Sequence, residues 1–268
     1  PSLRVFYLYL TAGCNLHCKN CQNAEISQGN PEDVPSYELL PAAVPGLAKE
    51  HGCRHVAYTY TEPLVSYEYT LDCCKAARGA GLRNVLVTAG YINEEPLRAL
   101  LPFVDAANVD IKAFSDDFYR QVCSATLEPV LRTVLVMREM GVHVEVTNLV
   151  IPTLNDSDEQ FQKLCGWMCE KAGPEVPLHF SRFFPMFRMT HLPPTPAETL
   201  LRAREVAAKA GLKHVYVGNL DVADGETTFC AGCGARLVVR QRYVVRENRV
   251  TGAGACPSCG KRAYGVWA

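Results

Sequence analysis

The chain has 268 residues, 48% of them hydrophobic and 21% charged, and its 27 Lys and Arg against 28 Asp and Glu leave a formal net charge of -1. This composition excludes a disordered polyelectrolyte, and the length supports a core that buries about 70 to 75% of the unfolded surface. Apolar runs stay short, as in Val85-Leu86-Val87, far below the roughly 18 residues that signal a membrane span.

In chain order, strands are expected at 4–10, 54–60, 84–88, 107–111, 143–150, 176–181 and 213–218. Helices are expected between them at 36–50, 63–79, 95–103, 128–140, 158–172 and 197–210. The helix at 63 takes Pro63 in its first turn, followed by Leu64, Tyr67, Leu71 and Cys74 at three- and four-residue spacing. Ser157 and Gln160 form a capping box for the helix that follows them. Gly52, Gly81, Gly141 and Gly211 each close a helical pattern just before a β-branched run, as a helix C-cap does ahead of a buried strand. Strands alternating with helices imply a parallel sheet with right-handed crossovers, either open or closed into a full or partial barrel. Function in such folds gathers at the C-terminal strand ends. Those ends carry 13–21, 59–62, 88–90, 110 and 112, 148–155 and 179–182.

Thirteen cysteines, an odd number with no signal-peptide pattern near Pro1, point to reduced cytoplasmic thiols and not to a disulfide framework. Cys53, Cys73, Cys74, Cys123, Cys165 and Cys169 are scattered and read as small core residues. Cys14, Cys18 and Cys21 differ, because they fall within eight positions after the first strand. A structural zinc ion wants four protein ligands, and His17 is awkwardly placed as the fourth. Three thiolates can instead hold a [4Fe-4S] cluster with one iron open to a cofactor. A partial zinc site or inert thiols is the competing reading.

The C-x3-C-x2-C loop, in CNLHCKNCQNAEIS, resembles that of the radical S-adenosylmethionine superfamily. The segments VAYTYTEPLVSYEYTLD, NVLVTAGYINEEPL, AANVDIKAF, VEVTNLVIPTLNDS and PLHFSRFFP resemble its subfamily related to pyruvate formate-lyase activating enzymes, specifically the radical enzyme of the AmmeMemoRadiSam system. The resemblance implies an α/β fold, a partial (βα)6-type TIM barrel with additional elements over 1–222. It implies that Cys14, Cys18 and Cys21 ligate the cluster, whose open iron chelates the amino and carboxylate groups of S-adenosylmethionine. Thr59, Thr61 and Glu62 would receive the cofactor's amino group, Asp110 its ribose and Lys112 its carboxylate. Val150 would belong to an apolar wall, His179 would pack near the adenine or sulfonium, and Arg182 would hold an anionic group. The plainer readings are a first-turn acid for Glu62, a rim ion pair for Asp110 and Lys112, and a core histidine for His179. Three positions depart from the pattern: Asn20 where an aromatic is common, Thr61 where the subfamily has Asn, and Ala89 inside its Thr-Asn-Gly.

The resemblance further implies a one-electron reductant such as flavodoxin or ferredoxin, and a 5'-deoxyadenosyl radical that takes hydrogen from an unidentified small molecule or system partner. AMMECR1-like and Memo-like proteins are the expected partners, and a glycyl radical enzyme activase is the rival enzyme. No acid or base is required for the first step, so no catalytic side chain is named.

Residues 223–268 carry 7 Lys and Arg against 3 Asp and Glu. Cys230, Cys233, Cys256 and Cys259 form two C-x2-C-G knuckles that suit a structural Zn²⁺ in a small ribbon, with rubredoxin-type iron or an auxiliary iron-sulfur cluster as alternatives. Leu237-Val-Val239 and Tyr243-Val-Val245 are expected to make a hairpin. Arg236, Arg240, Arg242, Arg246 and Arg249, with Tyr243 as a stacking residue, raise a nonenzymatic nucleic-acid-binding or interaction protein as a further rival. Four metal-bound thiolates add a net charge of about -2, which leaves little to hold nucleic acid, and the arginines read equally as the solvent side of the hairpin.

Overall fold

Parallel strands alternating with helices organise the chain in the computed structural model, which describes residues 4–9, 12–242 and 244–267. Two compact units are distinguished: the chain up to Val144 together with Pro185–His191, and Glu145–Phe184 together with the chain from Leu192 onward.

In the first unit the order is β1 (Val5–Tyr9), α1 (Ala24–Ser27), α2 (Val44–Glu50), β2 (His55–Thr59), α3 (Tyr67–Gly79), β3 (Arg83–Thr88), α4 (Glu94–Leu100), β4 (Ala106–Asp110), α5 (Asp116–Phe118) and α6 (Glu128–Glu139). The strands pair in sequence order and all in parallel, with Val56 beside Phe6 and Asn84, and Leu86 beside Tyr58 and Ala107. Val56, Leu86, Val109 and Ile111 are fully buried. Asn84 is buried among them, which is costly for an amide without partners. Its side chain donates to the carbonyls of Cys74 and Phe103 at 2.8 Å each and accepts from Tyr58 Oη at 2.9 Å. One buried amide thus ties β2, α3 and the approach to β4 together.

The second unit continues the pattern with β5 (His143–Val150), which starts at the end of the first, then α7 (Asp158–Trp167), β6 (Leu178–Arg182), α8 (Ala197–Ala210) and β7 (Val215–Gly218). These strands are again parallel and in sequence order. Phe161 on α7 meets Phe180 on β6 edge to face at 5.5 Å. The parallel βα core is that of a partial barrel. The second unit then adds a three-stranded antiparallel sheet, β8 (Thr228–Phe229), β9 (Arg236–Gln241) and β10 (Val244–Asn248), in the order β10-β9-β8. Leu237, Val238, Ala263 and two cysteines make its core, with Trp267 packed against them. Gly254 has φ +74°, and a Cβ there would stand 2.5 Å from the Trp267 ring, so glycine is required.

Several expected boundaries shift for identifiable reasons. The helix expected from 36 starts as a 3₁₀ turn at Pro41, because Leu40 precedes a proline and is held extended at φ -69°, ψ 142°. The helix expected from Pro63 begins at Tyr67; residues 63–66 form turns, and Thr70 Oγ1 holds the Pro63 carbonyl at 2.7 Å. Only half of the capping box forms: Ser157 Oγ accepts from Gln160 N at 3.3 Å, while Gln160 Oε1 is buried without a partner. The 158–172 helix keeps its length but finishes as a π-turn, Met168–Ala172. The short elements α1, α5 and β8 have no counterpart in the sequence expectation. Leu10, in the expected first strand, and Tyr243, the stacking residue, lie outside the described residues. No helix among the described residues is long and apolar enough to cross a membrane.

Candidate active site

The loop after β1 is fixed from both sides. Gly13, at φ +107°, donates to Ile26 O at 2.9 Å, and the Gln28 side chain bonds Leu16 O at 3.3 Å and the His17 ring at 2.8 Å. His17 is exposed and engaged there. On either side of Cys18, His17 N donates to Cys123 O and Lys19 N to Val122 O, both at 2.9 Å. Cys18 is therefore pressed against the π-turn Tyr119–Cys123, where Cys123 is fully buried. Cys21 Sγ lies 3.0 Å from Ser27 Oγ.

Electrostatics tie this loop to the ends of β2 and β4. Burial pushes the Cys14 thiol up to about 12, with the Glu62 charge acting in the same direction. The neighbouring Cys123 thiol outweighs burial and, with the Lys112 charge, holds Cys18 below the usual thiol range. Burial opposes the charge on Lys112, but Asp110 and Cys18 hold its ammonium well above the usual lysine range. Lys112 Nζ meets Asp110 Oδ2 at 2.6 Å, while Ile111 between them is fully buried. The alternation expected at this strand end is present, and the ion pair faces Cys18.

At the end of β2, Thr59 is buried and Tyr60 has φ +73°, with Thr61 N donating back to Thr59 O at 3.1 Å. This is a γ-turn in a region costly for a side-chain-bearing residue. It swings Glu62 inward, where the residue is 3% exposed. Glu62 Oε1 accepts from Leu64 N at 3.1 Å and Thr88 Oγ1 at 2.6 Å, and Oε2 accepts from Ala89 N at 2.7 Å. A carboxylate has about four acceptor positions, so Oε2 retains one. Burial raises the Glu62 pKa, opposed by these three donors.

In the second unit Val150 is fully buried and its carbonyl accepts from Thr195 Oγ1 at 2.6 Å. His179 Nε2 meets Glu145 Oε2 at 2.6 Å, and its ring stacks on Tyr216 with centroids 4.9 Å apart. Arg182 donates to Thr195 O at 2.8 Å and lies over the Phe184 ring at 5.1 Å. Glu145 and Tyr216 are partners that sequence reasoning missed; the signal was register, since Tyr216 pairs with His179 across β6 and β7.

The family model described as the radical SAM superfamily matches residues 8–165, more than half of the chain. The chain belongs to the radical SAM superfamily. Its relatives include the uncharacterized protein MJ0808 of Methanocaldococcus jannaschii, 43% identical over 98% of this chain and 78% of that one. The pyruvate formate-lyase-activating enzyme of Clostridium pasteurianum is 26% identical over 61% of this chain and 68% of its own length. Among solved structures, Streptococcus suis SuiB bound to S-adenosylmethionine superposes with a TM-score of 0.65 at 12% identity, covering 86% of this chain and 54% of SuiB.

The residues of this radical SAM chain fit a polar cofactor beside a multi-iron cluster. Asn15 Oδ1, Asn20 Oδ1 and Thr61 Oγ1 are buried without a partner, and buried polar atoms are normally satisfied. All three sit on the cysteine loop or at the end of β2. The sulfurs of Cys14, Cys18 and Cys21 do not gather as closely as a single ion requires; among the described residues only Cys230, Cys233, Cys256 and Cys259 have all ligand atoms within 4.8 Å of one another.

That second set is built for one ion. Cys230 and Cys259 sulfurs are 3.5 Å apart and those of Cys233 and Cys256 3.7 Å. A tetrahedral ion ~2.3 Å from each thiolate sets sulfurs about 3.8 Å apart. The knuckles are copies of each other: Gly232 N donates to Cys230 Sγ at 3.3 Å and Ser258 N to Cys256 Sγ at 3.4 Å, and Gly234 and Gly260 have φ +73° and +74°. All thirteen cysteines are free of disulfides, and of the six scattered ones only Cys169 is not buried.

Proposed function

We propose that the chain assembles a [4Fe-4S] cluster on Cys14, Cys18 and Cys21 and generates a radical from S-adenosylmethionine that takes hydrogen from a small molecule or protein partner. When bound, the cluster supplies one electron to the sulfonium, giving methionine and a 5'-deoxyadenosyl radical. The observation that carries the reading is the convergence of Cys14, Cys18, Glu62, Asp110 and Lys112 in one electrostatically coupled group. Glu62 keeps one acceptor position for an ammonium, and Lys112 offers a charged donor to a carboxylate without leaving Asp110. Asp110 holds that lysine charged in a half-buried setting and offers its second oxygen to a ribose hydroxyl. In the second unit, His179, fixed by Glu145 and Tyr216, and Arg182 remain assigned to the cofactor or substrate, and Val150 to an apolar wall.

We assign structural Zn²⁺ to Cys230, Cys233, Cys256 and Cys259; the sulfur spacing supports one tetrahedral ion over a multi-iron cluster, and rubredoxin-type iron is the alternative. Thirteen free thiols suit a reducing compartment such as the cytoplasm. For the biological setting we take the AmmeMemoRadiSam system, with AMMECR1-like and Memo-like proteins as partners, on the segments quoted above. A glycyl radical enzyme activase is the second reading, supported by similarity to the Clostridium pasteurianum enzyme. Nucleic-acid binding is disfavoured, because Arg236 pairs with Asp224 and Arg249 with Glu247, leaving fewer free cations on the hairpin.

The test is anaerobic reconstitution followed by reduction in the presence of S-adenosylmethionine. Wild-type protein should produce 5'-deoxyadenosine, and Cys18→Ala should not. Wild-type protein that assembles no cluster, or assembles one that never cleaves the cofactor, refutes the reading.

A further inference from the structure

The outer face of the cysteine loop carries a surface that the cofactor reading does not use. Lys19 stands between Cys18 and Cys21 and is exposed, and its carbonyl accepts from Arg188 N at 3.0 Å. That bond seats the segment Pro185–His191, which belongs to the same unit as the cysteine loop, directly on it. The segment is shaped to present side chains outward. Met189 is buried as its anchor and donates to Met186 O at 2.9 Å, while Met186 and Phe187 stand 38% and 41% exposed. Phe187 adopts φ +51°, a conformation that costs energy for a residue with a side chain. Arg188 covers its ring, with the guanidinium carbon 5.1 Å from the centroid. Among the described residues no acid pairs with Lys19 or Arg188, although acids outnumber bases by 25 to 20 over 1–222.

We infer that Lys19, Met186, Phe187 and Arg188 form the docking surface for a small acidic electron-transfer protein. The inference rests on the radical reading above, which requires one external electron for each cofactor cleaved. In the transfer itself no bond forms or breaks: the partner's reduced centre loses one electron and the cluster gains it. Charge and composition select this occupant. Two unpaired cations steer an acidic partner, and Met, Phe and Arg are the side chains that interfaces concentrate at their centres. The location selects it too, since a partner seated on Lys19 is one residue from Cys18 and two from Cys21.

The test uses the full chain carrying its reconstituted cluster, mixed rapidly with reduced flavodoxin, with reduced ferredoxin, or with dithionite, while cluster bleaching is followed. Wild-type reduction by at least one acidic protein should be saturable and should weaken as salt is raised. Lys19→Glu and Arg188→Glu should each raise its half-saturation about tenfold and flatten the salt dependence, Lys19→Arg should restore wild-type behaviour, and the dithionite rate should not change. Half-saturation unchanged in both reversals overturns the inference. So does an equal loss with dithionite, which would mean a disturbed loop, or wild-type protein that neither acidic protein reduces saturably. If the reversals instead abolish self-association in sedimentation and spare the protein donors, the patch joins two copies of this chain and the inference falls. Failure of the radical reading itself is seen separately, as wild-type protein with no cluster for dithionite to bleach.

Discussion

Glu62 shows how one side chain can serve the fold and the site together. Its three donors come from the chain just after it and from the end of β3, so Glu62→Gln turns one buried acceptor into a donor facing donors. A loss of about 1–3 kcal/mol is expected, read as a lower denaturation midpoint at unchanged slope. Asn20 should behave in the opposite way. Its Oδ1 is buried and unpaired, so Asn20→Leu should leave the ligand-free protein as stable as wild type or more so, while weakening S-adenosyl-L-homocysteine binding about tenfold. Melting and calorimetry on the same preparation decide it. Destabilisation with unchanged binding would assign Asn20 to packing alone. The sequence marked this position only as a departure from an aromatic, because an orphaned acceptor becomes visible only once its neighbours are placed. Cys123 is the converse: read as core filler, it is indeed buried, but its carbonyl and thiol are spent on the residues around and at Cys18.

Strands were the most legible elements, because Val-rich runs behind a helix-ending glycine have few other uses in a parallel sheet. Helix starts were less so. Pro63 carries a valid first-turn signal, yet Glu62 needs the Leu64 amide, and Thr70 reaches back to the Pro63 carbonyl. Those side-chain demands outbid local propensity and delay α3 by a turn. The γ-turn at Tyr60 was illegible for a related reason: nothing in a tyrosine announces φ +73°. Tyr60→Gly should therefore match or exceed wild-type stability, whereas Tyr60→Val should lose about 1–2 kcal/mol, measured by denaturant unfolding. At the next strand end, Gly90 has φ +68°, and a Cβ would stand 2.9 Å from Val109 and 3.3 Å from Thr133. Gly90→Ala should cost about 1–3 kcal/mol for strain and overpacking.

For the whole chain, stability should depend on pH through His214 and on metal through the cysteine knuckles. His214 is buried, and burial lowers its pKa from 6.5 despite the carboxylate of Glu175 at 3.3 Å. As pH falls below 6.5 the unfolded chain takes up a proton that the folded chain resists. Stability is therefore full above that pH and declines below it. His214→Phe should flatten the decline in denaturation midpoints, and an unaltered slope would remove His214 as its origin. Chelation of a metal held by the four knuckle cysteines should expose Trp267, whose ring packs on Gly254 in the knuckle core. A red-shifted tryptophan emission with loss of one metal equivalent is expected, and Cys230→Ser should reproduce it. The two knuckles lie 26 positions apart, from Cys230 to Cys256. A ribosome adding ~5–20 residues per second separates their emergence by about 1–5 s. Through that interval the first pair would hold only half a coordination sphere, so capture of an ion by the four thiolates would wait for the second pair and close the module in a single step.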